Sequence, residues 1–248
     1  MTGSSNWSVT ILQTATSSSD IVKQAAEQGA PEGTGILVLE QTAGRGRRGA
    51  VWQSAVGGMY FSLLLRPDFP VREWFGLSFV AALAIREELA AILPQNTVSL
   101  KWPNDVLVGD ARSYGKICGI LSEASGETLI IGTGVNIAPV NTPANAKQPA
   151  LAVQDFGANI TPQELSKRYM ANLGQRYSDY SQAGFAAVRD EWLKYAAHLG
   201  KPVSTQINGK TLFGLFDDLG QDGTMLLLDD DGGRHHISTG DVDLIGSL

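Results

Sequence analysis

At Leu199-Gly200 the hydrophobic period of this 248-residue chain changes, and no other feature constrains its architecture as much. Before that point, apolar residues at helical spacing alternate with short apolar runs of strand type. After it the period is two, with turn dipeptides at Asn208-Gly209, Asp222-Gly223 and Asp231-Gly232-Gly233. Five short strands joined by such turns predict a small β-barrel. Charge shifts at the same place. Residues 199–248 carry eight acids against three bases, whereas the preceding 198 residues carry 17 acids and 16 bases. The expected division is therefore 1–198 and 199–248.

Within the first region, Ser17-Ser18-Ser19-Asp20 ahead of Ile21, Val22, Ala25 and Ala26 predicts a capped helix ending near Gly29. Residues 35–40 read as a buried strand, and Met59, Phe61, Leu63 and Leu65 alternate as one face of another. Trp74, Leu77, Ala81, Ile85 and Leu89 predict an amphipathic helix over 73–93. From 98 to 137, apolar runs broken by Pro103-Asn104 and Gly109-Asp110 predict antiparallel hairpins. Residues 139–150 read as loop. Thr161-Pro162-Gln163-Glu164 is a capping box, followed by an apolar stripe of Leu165, Tyr169, Leu173 and Tyr180. Residues 185–198 read as a further helix.

Composition excludes several classes. With 43% hydrophobic residues the chain is an ordinary globule, long enough to bury roughly 70–75% of its unfolded surface without disulfide or metal. Its longest apolar stretch, 75–85, is stopped by Arg86, Glu87 and Glu88, short of the ~20 residues that span a bilayer. The first residues lack the basic and apolar regions of a secretory signal. One cysteine, Cys118, precludes an internal disulfide and fits a reducing compartment, so a cytoplasmic location is expected. One cysteine and three histidines do not assemble a zinc site of the usual spacing. A net charge of −6 argues against generic nucleic-acid binding.

Four segments carry chemistry. Gly44-Arg45-Gly46-Arg47-Arg48-Gly49 combines a backbone that approaches a ligand closely with three guanidiniums suited to phosphate or carboxylate. It lacks the Gly-Lys-Ser/Thr ending of a Walker loop and the spacing of a dinucleotide fingerprint. A solvated basic loop is the competing reading. Lys101-Trp102-Pro103-Asn104-Asp105 sets a lysine at a strand end before a polar turn, which a hairpin alone also explains. In 114–121, Lys116 stands between glycines in an apolar strand; a solvent-facing lysine is the alternative. In 131–136, Gly132 and Gly134 weaken a strand interior, marking either close backbone approach to a ligand or packing against a neighbour.

Together and in this order, the four segments resemble the biotin protein ligases, with their G-R-G-R-x-G, K-W-P-N-D, K-x-x-G-I-L and I-G-x-G-x-N motifs. The resemblance covers about residues 10–248. It implies an α+β fold, a mixed sheet flanked by helices in the manner of class II synthetases, with an SH3-like barrel at the C-terminus. Relatives that also repress transcription carry an N-terminal helix-turn-helix domain, and the early start of the pattern here suggests a ligase only. The implied reaction activates biotin with Mg-ATP to biotinoyl-AMP, then passes biotin to a lysine of a biotin carboxyl carrier protein. The expected assembly is a monomer or weak homodimer.

The resemblance assigns residues one by one. Lys116 matches the catalytic lysine beside carboxylate and α-phosphate. Arg45 and Arg47 would close over the intermediate, with Gly46 admitting the backbone. Ser18, Ser19 and Asp20 match a biotin-contacting S-T-N triplet, serine replacing threonine and aspartate replacing asparagine. Gln41 matches a glutamine on the biotin head, and Trp52 an aromatic on adenine. Lys101, Asn104, Gly132, Gly134 and Asn136 match positions around the nucleotide. Asp105 is a candidate for magnesium. The rivals are a lipoate or octanoate ligase of the same fold and a non-catalytic biotin sensor. Lipoate ligases lack both G-R-G-R-R-G and the barrel, and retention of Lys116, Lys101 and the loop arginines speaks against a sensor.

Overall fold

A computed structural model of the chain describes residues 7–245 apart from 55, 110–113, 143–145, 147 and 208. Seven strands form the first sheet: β1 (Ser8–Ala15), β2 (Thr34–Gln41), β3 (Met59–Leu65), β4 (Thr97–Lys101), β5 (Asp105–Gly109), β6 (Tyr114–Ser125) and β7 (Thr128–Val135). Their order is β1-β2-β3-β7-β6-β5-β4. β1 and β2 run parallel, joined through helix α1 (Ser18–Glu27), and every other pair is antiparallel. The hairpins expected over 98–137 are β4 to β7; Asp110 of one expected turn lies outside the described residues.

Strand alternation gives this sheet two different faces. Leu37, Phe61, Leu63, Val106, Ile120 and Ile131 point into the main core, beneath helices α2 (Gly76–Ile92) and α3 (Pro162–Ala183). Ile36, Val38, Leu64 and Ile130 point the other way and pack with Val22 of α1 in a small second core. α1 covers only part of that second face, and the uncovered remainder is the floor of a cleft.

The amphipathic helix expected over 73–93 differs from the observed one. Residues Val71–Glu73 form a separate 3₁₀ turn, and α2 is buried on all sides from Phe79 to Ile85. The sheet lies beneath it and α3 and α4 (Phe185–Lys194) lie against it, so no polar face is required. α3 begins as expected: the Thr161 hydroxyl accepts the Glu164 N–H at 3.1 Å, with Pro162 in the first turn. Leu165, Tyr169, Leu173 and Tyr180 are buried. α4 does not run on to His198. Residues 195–198 leave the helix and cover the edge of β4: Leu100 N–H donates to the Tyr195 carbonyl at 2.8 Å, and Ala197 N–H to the Leu100 carbonyl at 2.8 Å. An edge strand with unpaired backbone groups competes successfully for the helix's last turn.

The second sheet comprises β8 (Pro202–Ile207), β9 (Lys210–Leu219), β10 (Met225–Leu228), β11 (Arg234–Ile237) and β12 (Val242–Leu244). Its antiparallel order is β11-β10-β9-β8-β12. Among the described residues no ladder joins β11 to β12, so the expected barrel is an open, five-stranded sheet. Of the expected turns, Asn208 lies outside the described residues, while Asp222-Gly223 and Asp231-Gly232-Gly233 join their strands. Trp192 of α4 joins α2 to the second sheet, its ring 5.5 Å from Phe79 and 6.5 Å from Phe216. The Trp102 indole donates to the Gly223 carbonyl at 3.0 Å, and Arg189 to the Leu219 carbonyl at 2.7 Å. These contacts hold the second sheet against the first region through β9 and the turn after it. Asp243 of β12 and Asp241 in the turn before it line one end of the cleft. No described helix is long and apolar enough to cross a membrane.

Candidate active site

The cleft has a volume of about 590 Å³. A single register row across five strands makes its floor. Lys101 pairs with Asp105, Asp105 with Gly119, Gly119 with Gly134, and Gly134 with Tyr60. Paired residues share a face, so two cation-bearing and acidic positions at one end face a buried tyrosine at the other, with two glycines between. The glycines are a notch. A Cβ on Gly134 would stand 2.7 Å from the Trp52 indole, and one on Gly119 2.9 Å from the same ring.

Lys116 joins this row by an irregularity. In a regular strand it would face away from Gly119, three residues on. β6 carries one extra residue against β5: Val106 pairs with Cys118 but Leu107 pairs with Lys116, leaving Ile117 as a bulge. The bulge turns Lys116 into the cleft. There its ammonium sits 2.6 Å from Asp105 Oδ1 and 5.2 Å from the Trp52 ring centroid. Lys101, at the row's end, is 7% exposed and lies 3.3 Å from Gln148 Oε1 and 3.9 Å from Asp243. Burial lowers its pKa, which Asp105 and Asp243 oppose. Burial also raises that of Tyr60, to about 12, so it is a neutral phenol.

The closed end is built of hydroxyls. Ser18 and Ser19 Oγ lie 2.7 and 3.0 Å from Ser62 Oγ on β3. Gly132, whose Cβ would stand 2.8 Å from Ser19 Oγ, lets α1 approach the sheet there. The expected serine cap of α1 is replaced. Ser17 makes no side-chain cap bond, and Gln41 Oε1 instead accepts the Ser18 N–H at 2.7 Å. Gln41 Nε2 donates in turn to Ser54 Oγ at 2.8 Å.

The 44–52 loop forms the roof as a closed turn. Gly46 N–H donates to the Ala50 carbonyl at 2.7 Å and Trp52 N–H to the Gly44 carbonyl at 3.0 Å. Arg48, with φ +54°, adopts the left-handed region that favours glycine, a strained conformation at the loop tip. Arg47 reaches inward, 3.4 Å from Asn104 Oδ1 and 3.5 Å from the Gly240 carbonyl. Burial lowers its pKa, Asp241 raises it and Arg48 lowers it further. Asn104 is fixed from behind, donating to the Ile120 carbonyl at 2.6 Å. The Trp52 indole N–H is buried and unpartnered among the described residues.

Of the residues expected from sequence, Ser18, Ser19, Gln41, Arg45, Gly46, Arg47, Trp52, Lys101, Asn104, Lys116, Gly132 and Gly134 line the cleft. Two do not. Asn136 is buried behind the floor, donating to the Leu151 carbonyl at 3.2 Å. The Asp20 carboxylate faces Arg45 rather than the cleft. Sequence reasoning left out Tyr60 and Ser62, although alternation opposite Phe61 would have placed both on the second face. It also left out Gly119, Gln148, Asp241 and Asp243, the last two arriving from the distant β12 and the turn before it with no local signal. As for magnesium, no three His, Cys, Asp or Glu side chains group to hold a metal among the described residues, and Asp105 pairs with Lys116. No resident metal site is assigned among the described residues.

A half-open cleft with hydroxyls at one end and two lysines with an arginine at the other suits an elongated ligand bearing concentrated negative charge. Known proteins agree. The model of the biotin/lipoate A/B protein ligase family matches residues 11–136. The biotin--[acetyl-CoA-carboxylase] ligase of Paracoccus denitrificans is 34% identical over 203 residues, spanning 77% of this chain and 82% of that protein. The chain belongs to the biotin protein ligase family. The bifunctional ligase/repressor BirA of Bacillus subtilis is 33% identical to this ligase over 233 residues, 89% of this chain and 69% of that one. The biotin protein ligase of Aquifex aeolicus, solved with biotin and ATP, superposes with a TM-score of 0.81 at 27% identity, covering 96% of this chain and 99% of its own.

Proposed function

We propose that this ligase activates biotin with ATP to biotinoyl-AMP and transfers biotin to a lysine of a biotin carboxyl carrier protein of acetyl-CoA carboxylase. The observation that carries this is the bulge that turns Lys116 onto the glycine-notched row, beneath a roof holding Arg47. In the first step a biotin carboxylate oxygen attacks the α-phosphorus and the bond to the β-phosphate breaks, releasing pyrophosphate. Two anions must meet, and Lys116, Lys101 and Arg47 supply the opposing charge. Magnesium arrives with the nucleotide phosphates. The biotin end lies among Ser18, Ser19 and Gln41, and the adenylate end along Gly119, Gly134, Trp52 and Asn104. In the second step the carrier lysine's amine attacks the acyl carbon, loses a proton, and AMP leaves. Residues 1–198 form the catalytic part, and 199–248 close the nucleotide end through Asp241 and Asp243.

Pyrophosphate release with ATP and Mg²⁺, given biotin, lipoate or octanoate, tests the reading. Biotin is expected to be the fastest of the three, with label then appearing on an apo carrier domain. Faster turnover of lipoate or octanoate overturns it.

A further inference from the structure

The Arg45 guanidinium, expected over the intermediate, is held elsewhere. It donates to the carboxylate of Asp20 in the first turn of α1, and on its other side to Glu123 of β6 at 3.2 and 3.4 Å. Its pKa is raised, chiefly by the hydrogen bond to Asp20. Its backbone pairs with Val51 across the loop, closing the stem beneath the turn that carries Arg47. Among the described residues Arg47 has no carboxylate at salt-bridge distance, and it makes two long contacts, to Asn104 and Gly240. Three guanidiniums within four residues repel one another, and two carboxylates meet one of them.

We infer that Asp20 and Glu123 are positioning residues: they clamp Arg45, fix the stem of the 44–52 loop in the free protein, and leave Arg47 to meet the adenylate. The aspartate that replaces the triplet's asparagine thus acts on the loop and not on biotin. The functional consequence, retention of biotinoyl-AMP, rests on the proposed reaction; the clamp itself does not. Both pairs are about 40% exposed, so salt screens them, and together they shift the loop's closing about three- to ten-fold.

The test follows amide hydrogen exchange of 44–52 in the ligand-free full chain, for wild type, Asp20→Asn, Glu123→Gln and Asp20→Glu. Exchange is expected to rise about two- to three-fold in each of the first two variants at 0.05 M NaCl, with Asp20→Glu restoring protection. Wild type should approach the variants at 0.5 M NaCl. In parallel, biotin labelling of bystander albumin should rise in Asp20→Asn and Glu123→Gln. Unchanged exchange and unchanged salt dependence in both neutral variants overturn the clamp, whatever the activity. Raised, salt-sensitive exchange in a protein that ignores biotin sustains the clamp and overturns the reaction instead.

Discussion

Lys116→Ala separates chemistry from folding. Its ammonium lies 2.6 Å from Asp105, whose side chain is 17% exposed, while that of Lys116 is 30% exposed. Losing this largely buried pair costs about 1–2 kcal/mol of stability, which leaves the protein folded. Losing a preorganised charge at the reacting phosphate costs about 3–4 kcal/mol, a fall of 10²–10³ in adenylation rate. The variant also leaves the Asp105 carboxylate facing the incoming anion. At an effective dielectric near 20, like charges about 6 Å apart repel by roughly 3 kcal/mol. Asp105→Ala in the Lys116→Ala background should therefore recover up to about 100-fold of the lost rate, a coupling that a double-mutant cycle resolves. Single-turnover pyrophosphate release reads the rates, and the urea midpoint confirms folding. A folded Lys116→Ala within ten-fold of wild type, or a double variant slower than the single, would refute the placement of Lys116 at the phosphate.

Three further outcomes follow from the geometry. Gly134→Ala sets a methyl group 2.7 Å from the Trp52 indole and fills the notch, so KM for ATP should rise at least ten-fold while the urea midpoint moves little. An unchanged KM would remove Gly134 from the nucleotide's path. Arg47→Gly should still form biotinoyl-AMP but release it, seen as biotinylation of bystander albumin; labelling confined to the carrier would show that Arg47 does not retain the intermediate. His198 is 2% exposed, and burial, reinforced by Lys101 and Lys201 against Asp243, brings its pKa down from 6.5 to about 4. The unfolded chain then protonates first, so its contribution is whole above pH 6.5 and is lost as pH falls toward 4, by up to about 1.4 kcal/mol per unit. Urea unfolding at pH 7, 6 and 5 measures this, and an equal slope in His198→Asn would rule His198 out as the source.

Much of the fold was legible because its signals are local. The β4–β7 hairpins follow from apolar runs between turn residues, and α3 from a threonine, a proline and a stripe of four large side chains. What failed was decided by tertiary partners. Residues 195–198 have helical spacing, yet the open edge of β4 offers their backbone groups better partners than another helical turn. The apolar spacing of α2 implies a polar back, but a helix enclosed between sheet and helices needs none.

The site divides in the same way. Glycine-rich and lysine-bearing motifs mark its parts, but alternation alone would set Lys116 and Gly119 on opposite faces of β6. One extra residue at Ile117 reverses that parity, and it is visible only in the pairing with β5. Arg45 and Arg47 look interchangeable in Gly44-Arg45-Gly46-Arg47, two cations one glycine apart. Their difference comes from carboxylates 25 and 78 residues away from Arg45, at Asp20 and Glu123, which engage the first and leave the second facing the cleft. A motif therefore specifies which charges reach the site. Which of them remains available to the substrate depends on charges brought in by other strands and helices, and the same holds for Lys101, whose counter-ion Asp243 lies 142 residues along the chain in a different sheet.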